Sequence, residues 1–149
     1  MDSNLLVLLL VGLTSRRYIP VHKRLAAYAV EDFELLQSII AGYEKLLLTP
    51  NSLTETWNIA SQIAPPAREE IAATFVQLVR LTEEQYVPSR QCILRTEFRR
   101  LGLADSVLLD IAAGSHVLLT ADLDLYLAAA RQGYEAYNFN HLREQSLGI

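Results

Sequence analysis

The sequence predicts an α/β fold, with a central, mostly parallel sheet and helices on both of its faces. Two observations carry that expectation. Short apolar runs, Leu46-Leu47-Leu48-Thr49 and Val117-Leu118-Leu119-Thr120, read as strands buried on both sides, and Tyr134–Tyr137 reads as a third. Between them lie longer segments of helical spacing: Phe33, Leu36, Ile40 and Tyr43 in one, Ile71, Phe75, Leu78 and Val79 in another. Strands that alternate with helices in this way pair in parallel, because each crossover helix returns the chain to the same end of the sheet.

The elements follow in chain order. Leu5–Val11 belongs to the run LLVLLLVGL, whose composition alone suits a buried strand or a helix. Its leucines and the N-capping residue Ser3 just ahead favour a helix. The run is too short for a bilayer, which takes about 20 apolar residues. Asp2 precedes it while Arg16 and Arg17 follow, the reverse of a signal peptide. A cytoplasmic protein with no membrane segment is expected. Pro65-Pro66 separates two helices, with Pro66 suited to a helix start. Gly114 and Gly133 follow apolar helices where C-terminal caps are expected. No repeat or linker-like stretch interrupts the 149 residues, so residues 1–149 read as one domain.

Composition narrows the function classes. Hydrophobic residues make up 51% of the chain, which excludes a disordered or fibrous protein. The single cysteine, Cys92, cannot form an internal disulfide and fits a reducing compartment. A net charge of −4 gives no bulk attraction for nucleic acid, so the placement of the acids matters more than their number.

Four predicted helix starts carry an acid. Asp2 precedes Ser3-Asn4-Leu5; Glu55 follows Thr49-Pro50-Asn51-Ser52; Asp105 lies in Gly102-Leu103-Ala104-Asp105-Ser106; Asp122, with Asp124, comes just after the strand ending at Thr120. Singly, each is explained as a cap that satisfies free N–H groups and complements the helix dipole. Ser52 and Glu55 even have the spacing of a capping box. Together they ask for more. In a parallel sheet the strand ends that feed helices share one edge, where ligands bind. Carboxylates gathered there repel one another unless cations join them. Oxygen donors without His or Cys suit Mg²⁺ or Mn²⁺, and such a site supports phosphodiester hydrolysis.

These residues resemble the PIN-domain nucleases. The matching pieces are Asp2-Ser3-Asn4, Thr49-Pro50 with Leu53-Thr54-Glu55, Ala104-Asp105-Ser106, and Leu119-Thr120-Ala121-Asp122, in the family's order from Asp2 to about Asn138. The resemblance implies a three-layer α/β/α fold and a Mg²⁺- or Mn²⁺-dependent endoribonuclease acting on single-stranded RNA. It carries over Asp2, Glu55, Asp105 and Asp122 as the catalytic metal ligands, with Asp124 as a neighbouring candidate. It also extends to toxins of bacterial toxin–antitoxin pairs, with a small antitoxin over the crevice. Two departures stand out: the family's first acid ends a central strand, whereas only Met1 precedes Asp2 here, and Arg16–Asp32 is longer than the loop of the smallest members.

Arg16, Arg17, Lys23 and Arg24, with Tyr18 and His22, form the most basic stretch. They are candidate substrate-binding residues that could touch RNA phosphates, or else a solvated loop with snorkelling side chains. Arg95 and Arg99, four apart and near Arg90 and Arg100, invite the same comparison. His116 and His141 lack companions at zinc-ligand spacing. The scattered glycines form no phosphate loop, and Trp57 reads as core. An aspartyl phosphatase would want Asp-x-Asp where the chain has Asp2-Ser3-Asn4. Two rival readings are a PIN-like module that binds RNA or protein without cutting and a general phosphoesterase. Positive mean hydropathy, +0.17, and the apolar excess of Leu25–Tyr43 further suggest a homodimer.

Overall fold

The computed structural model describes Met1–Gly148. The chain opens with α1 (Ser3–Thr14), and Leu5–Val11 is therefore helical. Its cap is Asp2, whose Oδ1 accepts the Leu5 N–H at 3.0 Å, and not Ser3, which is the first helical residue. Leu5 through Gly12 are all buried, as expected of a helix apolar all round. Short 3₁₀ turns, Arg16–Tyr18 and Lys23–Leu25, lead to α2 (Val30–Ala41). There follow β1 (Leu47–Leu48), α3 (Pro50–Ala60), α4 (Ala67–Leu81) and β2 (Glu83–Glu84). Pro66 caps α4 from just outside.

The second half holds α5 (Ser89–Cys92), α6 (Phe98–Leu101), α7 (Leu103–Ala113), β3 (Leu118–Thr120), α8 (Leu123–Arg131), β4 (Ala136–Asn138) and α9 (Phe139–Ser146). Gly114 caps α7, and Gly133, at φ +75°, takes the left-handed turn after α8. The third strand begins at Ala136, later than Tyr134.

The single central sheet expected from the sequence is not what forms. The structure has two separate parallel pairs, β1 with β2 and β3 with β4. The strands are two or three residues long, and no strand bridges β1 to β3 among the described residues. Met1 and Asp2 reach toward that place, and the Asp2 N–H donates to the Leu119 carbonyl at 3.3 Å. One bond does not make a strand, so the chain is mixed α/β with helices dominating.

Helix α1 forms the axis of the larger core, joined by Phe33, Leu36, Leu48, Leu53, Ile71 and Phe139. Gly12 is what admits Phe33: a Cβ there would lie within contact distance of the ring. Trp57, half-buried, packs at a tilt against Phe75 with ring centroids 5.5 Å apart. Most apolar side chains of Leu25–Tyr43 are spent on this core, with Leu25, Phe33 and Leu36 buried and Tyr28, Ile39 and Ile40 packed against it. A second core joins α7, β3 and α8 through Leu109, Leu118 and Leu125, and a third surrounds buried Cys92. Among the described residues no helix is long and apolar enough to cross a membrane.

Candidate functional site

Asp2 is the pivot. Its carboxylate is buried and spans two elements: Oδ1 caps α1, while Oδ2 accepts the Thr120 hydroxyl and, at 2.9 Å, the Ala121 N–H. The end of β3 is thereby tied to the start of α1. Thr120 continues the chain of bonds by accepting the Asp122 N–H on its own hydroxyl at 2.9 Å. Asp122, exposed at the N-cap of α8, uses Oδ1 for the Asp124 and Leu125 N–H groups. Its Oδ2 is left for solvent or a ligand.

Glu55 arrives from α3. The capping box expected of Ser52 and Glu55 does not form: Thr49 is the cap, accepting the Ser52 N–H at 3.1 Å. Pro50 at the first helical position shifts the helix start three residues earlier than the box requires. Glu55 is consequently free to face α1, where its Oε2 accepts the Ser3 hydroxyl at 3.0 Å. Ser52, on the same face one turn earlier, keeps a buried Oγ with no partner among the described residues.

Asp105 completes the group from the first turn of α7. No described side chain or N–H donates to its carboxylate, and its acidity records its neighbours. Burial, then the charges of Asp122, Asp2 and Glu55, push it up from 3.8 to about 7. Desolvation and like charge both penalise the ionised form. Four acids from four stretches of chain thus act on one place.

The remaining candidates stand apart. Asp124 turns its carboxylate to Arg100, 3.7 Å away on the exposed rim. Arg16 and Arg17 follow the far end of α1, a helix about 18 Å long at 1.5 Å per residue, and so lie opposite Asp2. There Arg16 pairs with Glu34 at 3.6 Å and Arg17 covers the Tyr18 ring. Lys23 lies in the second 3₁₀ turn, and Arg24 reaches Gln62 at 3.5 Å. His22 and Tyr18 are buried and structural, bound to the Ala60 carbonyl and Glu70 respectively. Arg95 is held within the fold. It ties the loop between α5 and α6 to Asp110, the Leu109 carbonyl, Gln132 and Tyr134.

Among the described residues no three His, Cys, Asp or Glu side chains are close enough to enclose a metal ion. The donor set nonetheless fits Mg²⁺ or Mn²⁺. Mg²⁺ keeps several waters and uses only one or two protein carboxylates, so it needs no complete cage. Only oxygens are offered, and a divalent cation would offset the like charges that, together with burial, raise the Asp105 carboxyl. Ser3 and Thr120, which hold Glu55 and Asp2 in place, are the residues the sequence reading passed over. Each sits beside its acid in the stretches Asp2-Ser3-Asn4 and Leu119-Thr120-Ala121-Asp122. No family model, curated protein or solved structure matches the chain.

Proposed function

We propose that the protein is a metal-dependent endoribonuclease with a PIN-like site, cleaving phosphodiester bonds of single-stranded RNA. One observation supports this above the others: the carboxyl of Asp105, raised to about 7 by burial and by Asp122, Asp2 and Glu55. Capping, which accounts for each acid singly, does not account for the charge that Asp122, Asp2 and Glu55 together exert on Asp105. Asp105, Glu55 and Asp122 would hold Mg²⁺ or Mn²⁺ through their outward oxygens, with Asp2 fixing the frame on which they stand. The cation's contribution is to lower the pKa of a water and to offset charge on the phosphodiester. Asp105 would hold the cation in its ionised form. Glu55, held by Ser3, and Asp122, held by its own helix start, keep their orientation throughout. The excess negative charge of the four acids would repel RNA unless a cation offset it. A small antitoxin covering the crevice belongs to the same reading.

The absence of a three-donor cage among the described residues favours one alternative, a PIN-like module that binds RNA or protein without cutting it. Incubation of labelled single-stranded RNA with the protein and Mn²⁺ separates the two. Cleavage that EDTA stops and that falls at least about a hundredfold in Asp105→Asn, the scale of losing one charge-stabilising group, supports the nuclease. Intact RNA retained by the protein supports the module.

A further inference from the structure

The segment 85–102 joins the two halves of the fold, and both of its ends lie beside elements that carry the acids. It leaves β2 where the Gln85 N–H donates to the Leu48 carbonyl at 2.8 Å, the strand end that feeds α3 and Glu55. It closes at Gly102, which leads directly into the first turn of α7 and Asp105. Its charge is opposite to that of the site. Arg90, Arg95, Arg99 and Arg100 stand against one acid, Glu97, in a chain whose acids outnumber its Lys and Arg 17 to 13. Arg95 and Glu97 are tied to Asp110 and Gln132, whereas Arg99 and Arg100 are exposed.

The Arg100 guanidinium meets Asp124 of α8 at 3.7 Å in the open, a pairing that water and salt weaken. Asp124 in turn gives its backbone N–H to Asp122, so this cation stands beside the acids on the α8 side. Tyr86 stands on another side, 72% exposed. Its backbone is fixed from both directions, since Gln85 is bonded to β1 and Val87 is buried in one cluster with Val107 of α7. Helix α7 turns Leu103 and Val107 to Val87, and Leu108 and Ala112 to the cluster it shares with α8. Tyr86 and Arg100 therefore flank the start of α7, and Asp105, from two different faces.

We propose that the single-stranded RNA of the proposed reaction crosses the acids between Tyr86 and Arg100, with a base stacked on the Tyr86 ring and a backbone phosphate on the Arg100 guanidinium. The identity of the strand rests on the nuclease reading; the two contacts do not. Aromatic faces combined with cations hold single strands without regard to sequence, because every base has a π-face. An unpaired base is required, since one stacked within a duplex cannot lie on the ring. The phosphate takes the place of Asp124 on Arg100, exchanging an exposed ion pair for a forked, charge-assisted contact. Arg16 and Arg17, at the far end of α1, take no part.

The probe is a fluorescein-labelled oligouridylate of about 12 nucleotides, within the site sizes of single-strand binders. Its anisotropy is read on the full chain carrying Asp105→Asn, so that cutting does not consume it. Tyr86→Ala weakens binding at least about fivefold, the scale of one lost base stack, while Tyr86→Phe binds as the parent does. Arg100→Ala lowers the slope of log K against log salt by about 0.7, the share of one phosphate on a single strand. Arg68→Ala removes the same charge from the start of α4, which the Tyr18–Glu70 contact places at the far end of α1, and changes neither. Unaltered affinity in Tyr86→Ala, an unaltered slope in Arg100→Ala, or an equal loss in Arg68→Ala would overturn the path. So would a probe that stays free at about 0.1 mM protein, the weak end of non-specific binding. Cleavage is read separately with Mn²⁺ on the chain that keeps Asp105, where both substitutions act on KM more than on kcat. RNA bound through Tyr86 and Arg100 yet never cut removes the nuclease and leaves the path. RNA cut with KM unmoved by either substitution removes the path and leaves the nuclease.

Discussion

Asp105 is the residue on which chemistry and stability meet. Without metal its carboxyl sits near 7 because burial and three other acids oppose its charge. The sign of the linkage follows. A folded-state value above the unfolded 3.8 means that the native state holds the proton more tightly, so stability is full below about pH 4 and falls as pH rises to about 7. In EDTA, Asp105→Asn is therefore more stable than the parent at pH 8 and about equal to it at pH 4. The whole difference would be about 4 kcal/mol at 1.36 kcal/mol per pKa unit. Solvent screening of a partly buried group reduces it to about 1–2 kcal/mol. Urea unfolding at the two pH values measures it, and a parent more stable at pH 8 than the variant would refute it. The acids themselves were legible in the sequence from their places at helix starts. Their orientation was not. Glu55 read as part of a capping box, and only the contact with Ser3, 52 positions away, shows it facing elsewhere.

At the scale of elements, α1 is the piece everything else is built around. Its helical state was readable from leucine content, and its role as axis from being apolar on every side. The close approach of α2 depends on one atom's absence. Gly12→Ala pushes a methyl into the Phe33 ring, and overpacking of a core costs about 1–3 kcal/mol. For a chain of this size Tm falls by about 3–10 °C, which thermal unfolding by circular dichroism reads directly; an unchanged Tm would mean that Phe33 can move aside freely. The strands were less legible. Leu47–Leu48 and Leu118–Thr120 announce themselves by apolar content, whereas Glu83–Glu84 are charged and exposed, and only pairing with β1 makes them a strand. A contiguous sheet could not be read correctly, because pairing is decided by backbone neighbours far apart in sequence.

For the whole molecule, the divalent cation of the proposed reaction would be a folding partner as well. An ion that binds only the native state adds about 2.7 kcal/mol at a hundredfold excess over Kd, or about 5–10 °C of Tm. Mn²⁺ should produce that rise in the parent and much less in Asp105→Asn. The gain should be larger at pH 8 than at pH 6, since the proton on Asp105 competes with the ion. Differential scanning calorimetry across Mn²⁺ concentrations checks both, and a parent indifferent to millimolar Mn²⁺ would remove the metal. The contacts that tie the chain together are long-range: Asp2 reaches Thr120 across 118 positions, and Arg143 of α9 clasps Asp32 of α2 across 111. Chains wired this way close late and slowly. During synthesis, at about 5–20 residues per second, the amino-terminal carboxylate waits several seconds for its partner to be made. A nascent chain thus carries its acids dispersed until Thr120 and Asp122 have been made.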